Sequence, residues 1–272
     1  MLMAPTISML YALFVLKFVV AVATVLITTA IAERINPRLA GIIAGLPQGS
    51  AIGLFFFGLE QGPEFAAKSA VFVLAGMLAV QAGVYCYYQV SKRTRKHGLV
   101  LSLAGSLLGY LAAAFALRPI EFTIVTAPLA LLLSLFIFTY LFKEIRNTKI
   151  SQRIRLTPQV LAFRAALAGA IVLAVTEAAY TVGSEWAGLF SAFGITTWPT
   201  LLIVHHAYGG KQTHPIIKNL PIGLGGMLVY CLTVYFAYQA MGVYAGTSAA
   251  IGTTLAYLGL YTLAKKKWNW LP

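Results

Sequence analysis

The stretch Ala44-Gly45-Leu46-Pro47-Gln48-Gly49-Ser50-Ala51-Ile52-Gly53 interrupts an apolar run that begins at Leu39. A continuous helix satisfies every backbone polar group internally, which is what crossing hydrocarbon requires. Proline removes one donor and disturbs the carbonyl a turn earlier, and glycine lowers the cost of unwinding. The stretch therefore reads as a break in a membrane helix, and the question is what surrounds it.

The surroundings are apolar almost throughout. Of 272 residues, 60% are hydrophobic and 10% charged, with a mean hydropathy of +0.82. That is far less charge than the surface of a soluble domain needs. Repeated apolar runs, split by short basic or Gly/Pro segments, predict an all-α polytopic membrane protein. About nine spans can be placed, at 6–32, 39–60, 66–91, 98–117, 120–142, 158–182, 186–208, 214–240 and 243–264. No Lys or Arg precedes the first run, which is too long for a signal-peptide core, so it reads as a retained helix. Cys86 and Cys231 fall inside spans and read as buried free thiols.

The formal charge of +13 is a topology signal rather than a nucleic-acid footprint. Sixteen of the twenty Lys and Arg lie in alternate loops, while the opposite loops hold only Lys68 and Arg118. With nine spans this places the N-terminus outside and the C-terminus in the cytoplasm, with a bacterial inner membrane as the expected location. Membrane lipids are expected partners of the basic loops, nucleic acid is not, and a homodimer is compatible with the sequence.

Sliding the chain on itself by 147 residues puts Ala40-Gly41 on Ala187-Gly188 and Lys17 on Arg164, and GSLLGYL (105–111) on GTTLAYL (252–258). A shift of 150 aligns residues 76–89 with 226–239, seven of fourteen being identical. The expected organisation is repeat 1 over 1–117, a linking helix and basic loop over 118–157, and repeat 2 over 158–272. An odd number of helices separates equivalent elements, so the two four-helix copies should cross the membrane in opposite senses. Their loop charges agree: the loop SKRTRKHG (91–98) is basic, while its mate MGVYAGT (241–247) carries no charge. Inverted repeats are the architecture of many secondary transporters.

The mate of 44–53 is SAFGITTWPT, 191–200. Paired breaks of this kind point to a binding site near the bilayer midplane, with a half-helix N-terminus able to face an anion. Candidate solute-binding residues are Pro47, Gln48, Gly49, Ser50, Thr196 and Thr197, with Lys17 and Arg164 as two matching intramembrane cations. A charge at such depth costs roughly 2.5–3.5 kcal/mol and needs a partner, an interior cavity or a route to the interface. Glu177 is one structural partner to consider. It lies about 220° around the helix from Arg164, so pairing must come from another helix. Glu177, His205 and His206 are candidate coupling groups, since each can carry a proton. Glu60, Glu64 and Lys68 read as outer-face residues, the last two as an ordinary i, i+4 pair.

No enzyme signature emerges: the chain has no Asp, no zinc helix and no phosphate-binding glycine loop. No cofactor or metal is expected. LAGIIAGLPQGSAIGLFFFGLEQG (39–62), WAGLFSAFGITTWPTLLIVHHAYGG (186–210) and GLGGMLVYCLTVYFAY (223–238) resemble the small GlpM-type bacterial membrane proteins, about half this length, which implies a fused duplicate. The glycine-containing breaks GLPQGS and GITTWP and the four-plus-four layout also resemble the TauE/SafE-type sulfite and organosulfonate exporters, which implies transport of an anion.

The expected function is secondary active transport of a small anionic or zwitterionic solute by alternating access, with proton coupling as an option. The alternatives are a flippase for a lipid or polyprenyl-phosphate carrier, or a non-transporting scaffold. A transporter should show Lys17 and Arg164 lining a polar cavity, and a scaffold should show them paired and packed.

Overall fold

The structure is a computed structural model that describes residues 7–34, 48–94, 98–145, 157–193 and 197–267. The described residues are helical, with no strand among them: α1 (Ile7–Arg34), α2 (Gln48–Gln61), α3 (Pro63–Arg93), α4 (Gly98–Leu117), α5 (Thr126–Leu141), α6 (Pro158–Ser191), α7 (Thr197–Tyr208), a 3-10 turn (Gly210–Thr213) and α8 (His214–Lys267). Among the described residues, four stretches are long and apolar enough to cross a membrane: Pro63–Arg93, Gly98–Leu117, Pro158–Ser191 and Gly223–Ala264.

Glycine sets the boundaries that apolar composition alone leaves open. α6 breaks at Gly183 (φ 78°, ψ 171°) and α8 at Gly242 (φ 79°, ψ 175°). Gly62 (φ 93°, ψ 161°) separates α2 from α3, and Gly209 (φ 85°, ψ 164°) precedes the 3-10 turn. This region of backbone space is open essentially to glycine alone. Local chemistry fixes other ends. Thr157 Oγ1 accepts a hydrogen bond from the amide of Val160, and Pro158 occupies the first helical position. Lys218 donates to the carbonyl of Ile145 at 2.6 Å, pinning the segment after α5 to α8.

α3 is the mast of the bundle, packed by α2, α4, α5, α6 and α8. In its most apolar window 78% of residues are buried, against 22% in α4. Small residues make this possible, because Ala66, Ala67, Ala70, Ala75 and Ala79 are all fully buried. Close backbone approach through small residues is how membrane helices gain packing contacts where lipid is as apolar as the protein. Gly188 of α6 lies so near the Ser69 carbonyl and Phe72 of α3 that a Cβ there would collide with backbone. The outward surface is the reverse of a soluble protein's: Leu108, Phe115, Leu129, Leu133, Phe136 and Leu260 are all exposed. Contiguous exposed hydrophobics on this scale need an apolar neighbour, in keeping with an integral membrane protein.

Gly188→Ala is expected to push α3 and α6 apart and to destabilise the bundle by about 1–3 kcal/mol. Gly259→Ala, which would meet nothing within 4 Å, should be neutral or slightly stabilising. Unfolding of the two variants in detergent checks the contrast.

A buried ion cluster and two polar joints

Lys17 lies ten residues into α1, on a turn otherwise surrounded by apolar side chains. It is 1% exposed, so it lines no open cavity. Its Nζ is 2.8 Å from Glu60 Oε1 at the end of α2 and 2.8 Å from Glu177 Oε1 on α6. The Glu177 contact has hydrogen-bond geometry. That with Glu60 does not, leaving Glu60 Oε1 buried with no hydrogen-bond donor. The Tyr180 ring, one turn beyond Glu177, has its centroid 5.8 Å from the ammonium. The floor of the cluster is apolar: Ala21, Phe56 and Val172 pack there, about one turn along α1, α2 and α6.

Glu60, read as an outer-face residue beside Glu64 and Lys68, differs from them in being packed inside the bundle. Its side chain is 4% exposed, whereas Glu64 and Lys68 do form an exposed i, i+4 pair at 3.1 Å. The signal was in the spacing, since Gly53, Phe56 and Glu60 fall on one face of α2, and the first two are buried. Lys17 is paired and packed by Glu60 and Glu177, the arrangement weighed above against a cavity-lining cation. Glu177 finds its partner on another helix, as its angular distance from Arg164 requires. The Arg164 side chain lies outside the described residues, although its backbone belongs to α6.

The two interrupted segments meet. Pro47 and Thr196 lie outside the described residues, but Gln48, Gly49 and Ser50 open α2 and Thr197 opens α7. Ser50 Oγ donates to the carbonyl of Ser191 at 2.8 Å, and Tyr110 OH of α4 donates to the carbonyl of Leu189 at 2.6 Å. Carbonyls left over where α6 ends are thus capped by hydroxyls from other helices, as an apolar setting demands. A small apolar recess lies beside this contact, lined by Gly49, Gly53, Val172, Ser191 and Phe193. Ser191 Oγ and Trp198 Nε1 are buried nearby in sequence and have no hydrogen-bond partner.

A second polar joint, which sequence reading did not assemble, ties α3 to the segment around the 3-10 turn. Tyr87 OH lies 2.6 Å from His205 Nδ1, and Ser91 Oγ 3.0 Å from His214 Nε2. The Tyr88 ring meets His214 edge-on at 4.8 Å. His206 is exposed, about 100° further round α7 from His205. His214 precedes the apolar span Gly223–Ala264. Burial, and then the charges of His205, Lys92 and Lys211, hold its pKa below the ordinary histidine value. Among the described residues no three His, Cys, Asp or Glu are placed to hold a metal ion.

Two measurements follow from this geometry. Lys17→Met leaves Glu60 buried without its counter-charge and should cost about 3–5 kcal/mol of stability. Adding Glu60→Gln should recover part of that loss, giving a coupling of about 1–3 kcal/mol in a double-mutant cycle. For His214, a depressed pKa means that the unfolded chain binds the proton more tightly. Its contribution is complete above the ordinary histidine value and is lost as pH falls through the lower folded value. The apparent melting temperature should fall as pH drops below the ordinary histidine value, and His214→Gln should flatten that slope. Compared with known proteins, the chain matches no family, no curated protein and no solved structure.

Proposed function

We propose that the protein is a secondary transporter of a small anionic or zwitterionic solute, working by alternating access between two inverted four-helix halves joined by α5. Lys17 is paired and packed, the arrangement expected of a scaffold, so no cavity-lining cation supports this reading; what carries it is the place of the Lys17–Glu60–Glu177 cluster, which joins α1 and α2 of the first half to α6 of the second. One ammonium between two carboxylates leaves the cluster with one excess formal negative charge. An unbalanced charge cluster at a seam between halves is the type of element that can couple ion binding to rearrangement. Glu177, half exposed, is the coupling group that can exchange with its surroundings.

Backbone geometry supports the duplication. Gly62 and Gly209 stand 147 residues apart, the offset of the repeat, with φ and ψ within 10° of each other. The Ser50–Ser191 contact supports convergence of the two breaks. Buried polar atoms without partners at Ser191 and Trp198 suit a place where solute or water completes the hydrogen bonding. In this reading nine spans place the N-terminus outside and the C-terminus in the cytoplasm of a bacterial inner membrane.

One observation favours a second reading. Glu177 and Tyr180 are exposed on the same stripe of α6 as Ala170, Ala174 and Thr181. The cluster is therefore approached sideways from the helix surface, as a lipid headgroup would approach it, which suits the flippase alternative.

Glu177→Gln keeps the shape of the side chain and an acceptor for Lys17 but removes the titratable charge. In proteoliposomes it should lower proton-driven solute uptake by at least about tenfold, with the melting temperature little changed. Uptake equal to wild type would sink the coupling role.

A further inference from the structure

Positive charge collects at one end of the bundle with little to balance it. The loops read above as cytoplasmic carry sixteen Lys and Arg, and the acids on the same side are Glu33 and Glu144. Among the described residues, ion pairs are formed by Lys17, Lys68 and Arg118, and by none of Lys92, Arg93, Lys143, Lys211 and Lys218. Lys143 lies over the Tyr140 ring at 3.7 Å, and Lys218 is taken up by the carbonyl of Ile145. Lys92 and Lys211 are exposed and have no such anchor in a carboxylate or carbonyl.

These two lysines flank the imidazole joint. The Tyr88 ring that meets His214 at 4.8 Å also has the Lys92 ammonium 5.8 Å from its centroid. Lys211 belongs to the 3-10 turn, and its carbonyl accepts the amide of His214. The charged groups that act on His214 are His205, Lys92 and Lys211, with no carboxylate among them. Gly98 opens α4 so near the joint that a Cβ there would stand 3.5 Å from His205 Nε2. From this point an apolar face runs outward along α4, where Leu101, Leu108 and Phe115 recur at intervals of seven and are all exposed. A basic cluster without acidic partners thus adjoins the start of a bare apolar helix face.

We propose that this end of the bundle binds the phosphate of an anionic phospholipid, held by Lys92 and Lys211 beside His205 and His214, with the acyl chains on the outward face of α4. Basic pockets at headgroup level between membrane helices recognise such lipids by charge. A soluble phosphate would match the charge but leave the apolar face unused. The inference is independent of the transport reading, because a lipid seated at the bundle end needs no passage through it.

The test titrates the purified full chain, in a neutral detergent at fixed ionic strength, with four probes: dioctanoyl phosphatidylglycerol, dioctanoyl phosphatidylcholine, glycerol 3-phosphate and inorganic phosphate. Binding to the folded form is read as a rise in apparent melting temperature. Phosphatidylglycerol should bind at least about tenfold more tightly than each of the other three, as two lysines acting on one headgroup allow. Lys92→Gln with Lys211→Gln should erase that preference. Lys68→Gln with Lys143→Gln removes the same charge elsewhere and should keep it. Lys211→Gln alone should weaken phosphatidylglycerol about fivefold, so the test survives a double variant that folds poorly. Equal stabilisation by the two lipids, inorganic phosphate matching phosphatidylglycerol, or equal losses in the two double variants would each overturn the site.

Discussion

An ammonium held at 1% exposure in a bundle of apolar helices has to be neutralised where it stands. That constraint explains how α1 is placed. α1 is held through α6 and α2, and the Lys17 contacts to Glu177 and Glu60 fix both its depth and its rotation. The same contacts explain why Glu60 is tolerated at the C-terminal end of α2, where the helix dipole disfavours a carboxylate. A buried ion cluster contributes less to stability than its Coulomb attraction suggests, because desolvation offsets most of it. Its value here is in specifying a single register for three helices whose apolar faces would otherwise slide.

The rest of the bundle solves the same constraint with backbone groups. Where α6 ends at Ser191, hydroxyls of Ser50 and Tyr110 reach across from α2 and α4 to the exposed carbonyls. Along α3, Ser106 of α4 donates to the carbonyl of Gly83 at 2.6 Å, and Gln81 donates to Ser134 of α5 at 2.8 Å. These hydrogen bonds form because small residues let helices come close. Close packing and polar satisfaction are therefore one feature, and a change that widens a helix contact also strands a donor or acceptor.

Helical class and membrane character were legible because composition alone enforces them, and helix ends were legible where chemistry is local, as at Thr157-Pro158 and at Gly62. The interruption around 191–200 was visible for the same reason, since Pro and Gly act on their own backbone. What could not be read was side-chain partnership. Lys17 and Glu60 are 43 positions apart in sequence, and no periodicity encodes which helices become neighbours. Hydropathy also gave no sign that Glu60 is buried, because a span's end and a buried helix end look alike in composition and differ only in which face turns inward. The joint of Tyr87 and Ser91 with His205 and His214 was hidden similarly. His205 was noticed but His214 was not, and their hydroxyl partners sit in a long apolar helix.

On the proposed duplication, the offset of 147 residues places Ala207 opposite Glu60 and Ala30 opposite Glu177, while Lys17 keeps a cationic mate in Arg164. The acidic half of the cluster thus belongs to one copy alone. The histidine joint is equally one-sided, since Gly58 and Ala67 stand where His205 and His214 have their mates. The backbone break at Gly62 has a mate in Gly209, whereas Gly183 and Gly242 fall on Asn36 and Arg95, so breaks as well as acidic and imidazole groups are only partly shared. A duplicated scaffold can rearrange between mirror-related shapes of similar energy, which alternating access requires, but identical charges on both sides would give the cycle no preferred response to a proton. On the proposed transport reading, differences between the copies such as those at Glu60, Glu177, His205 and His214 would supply that preference.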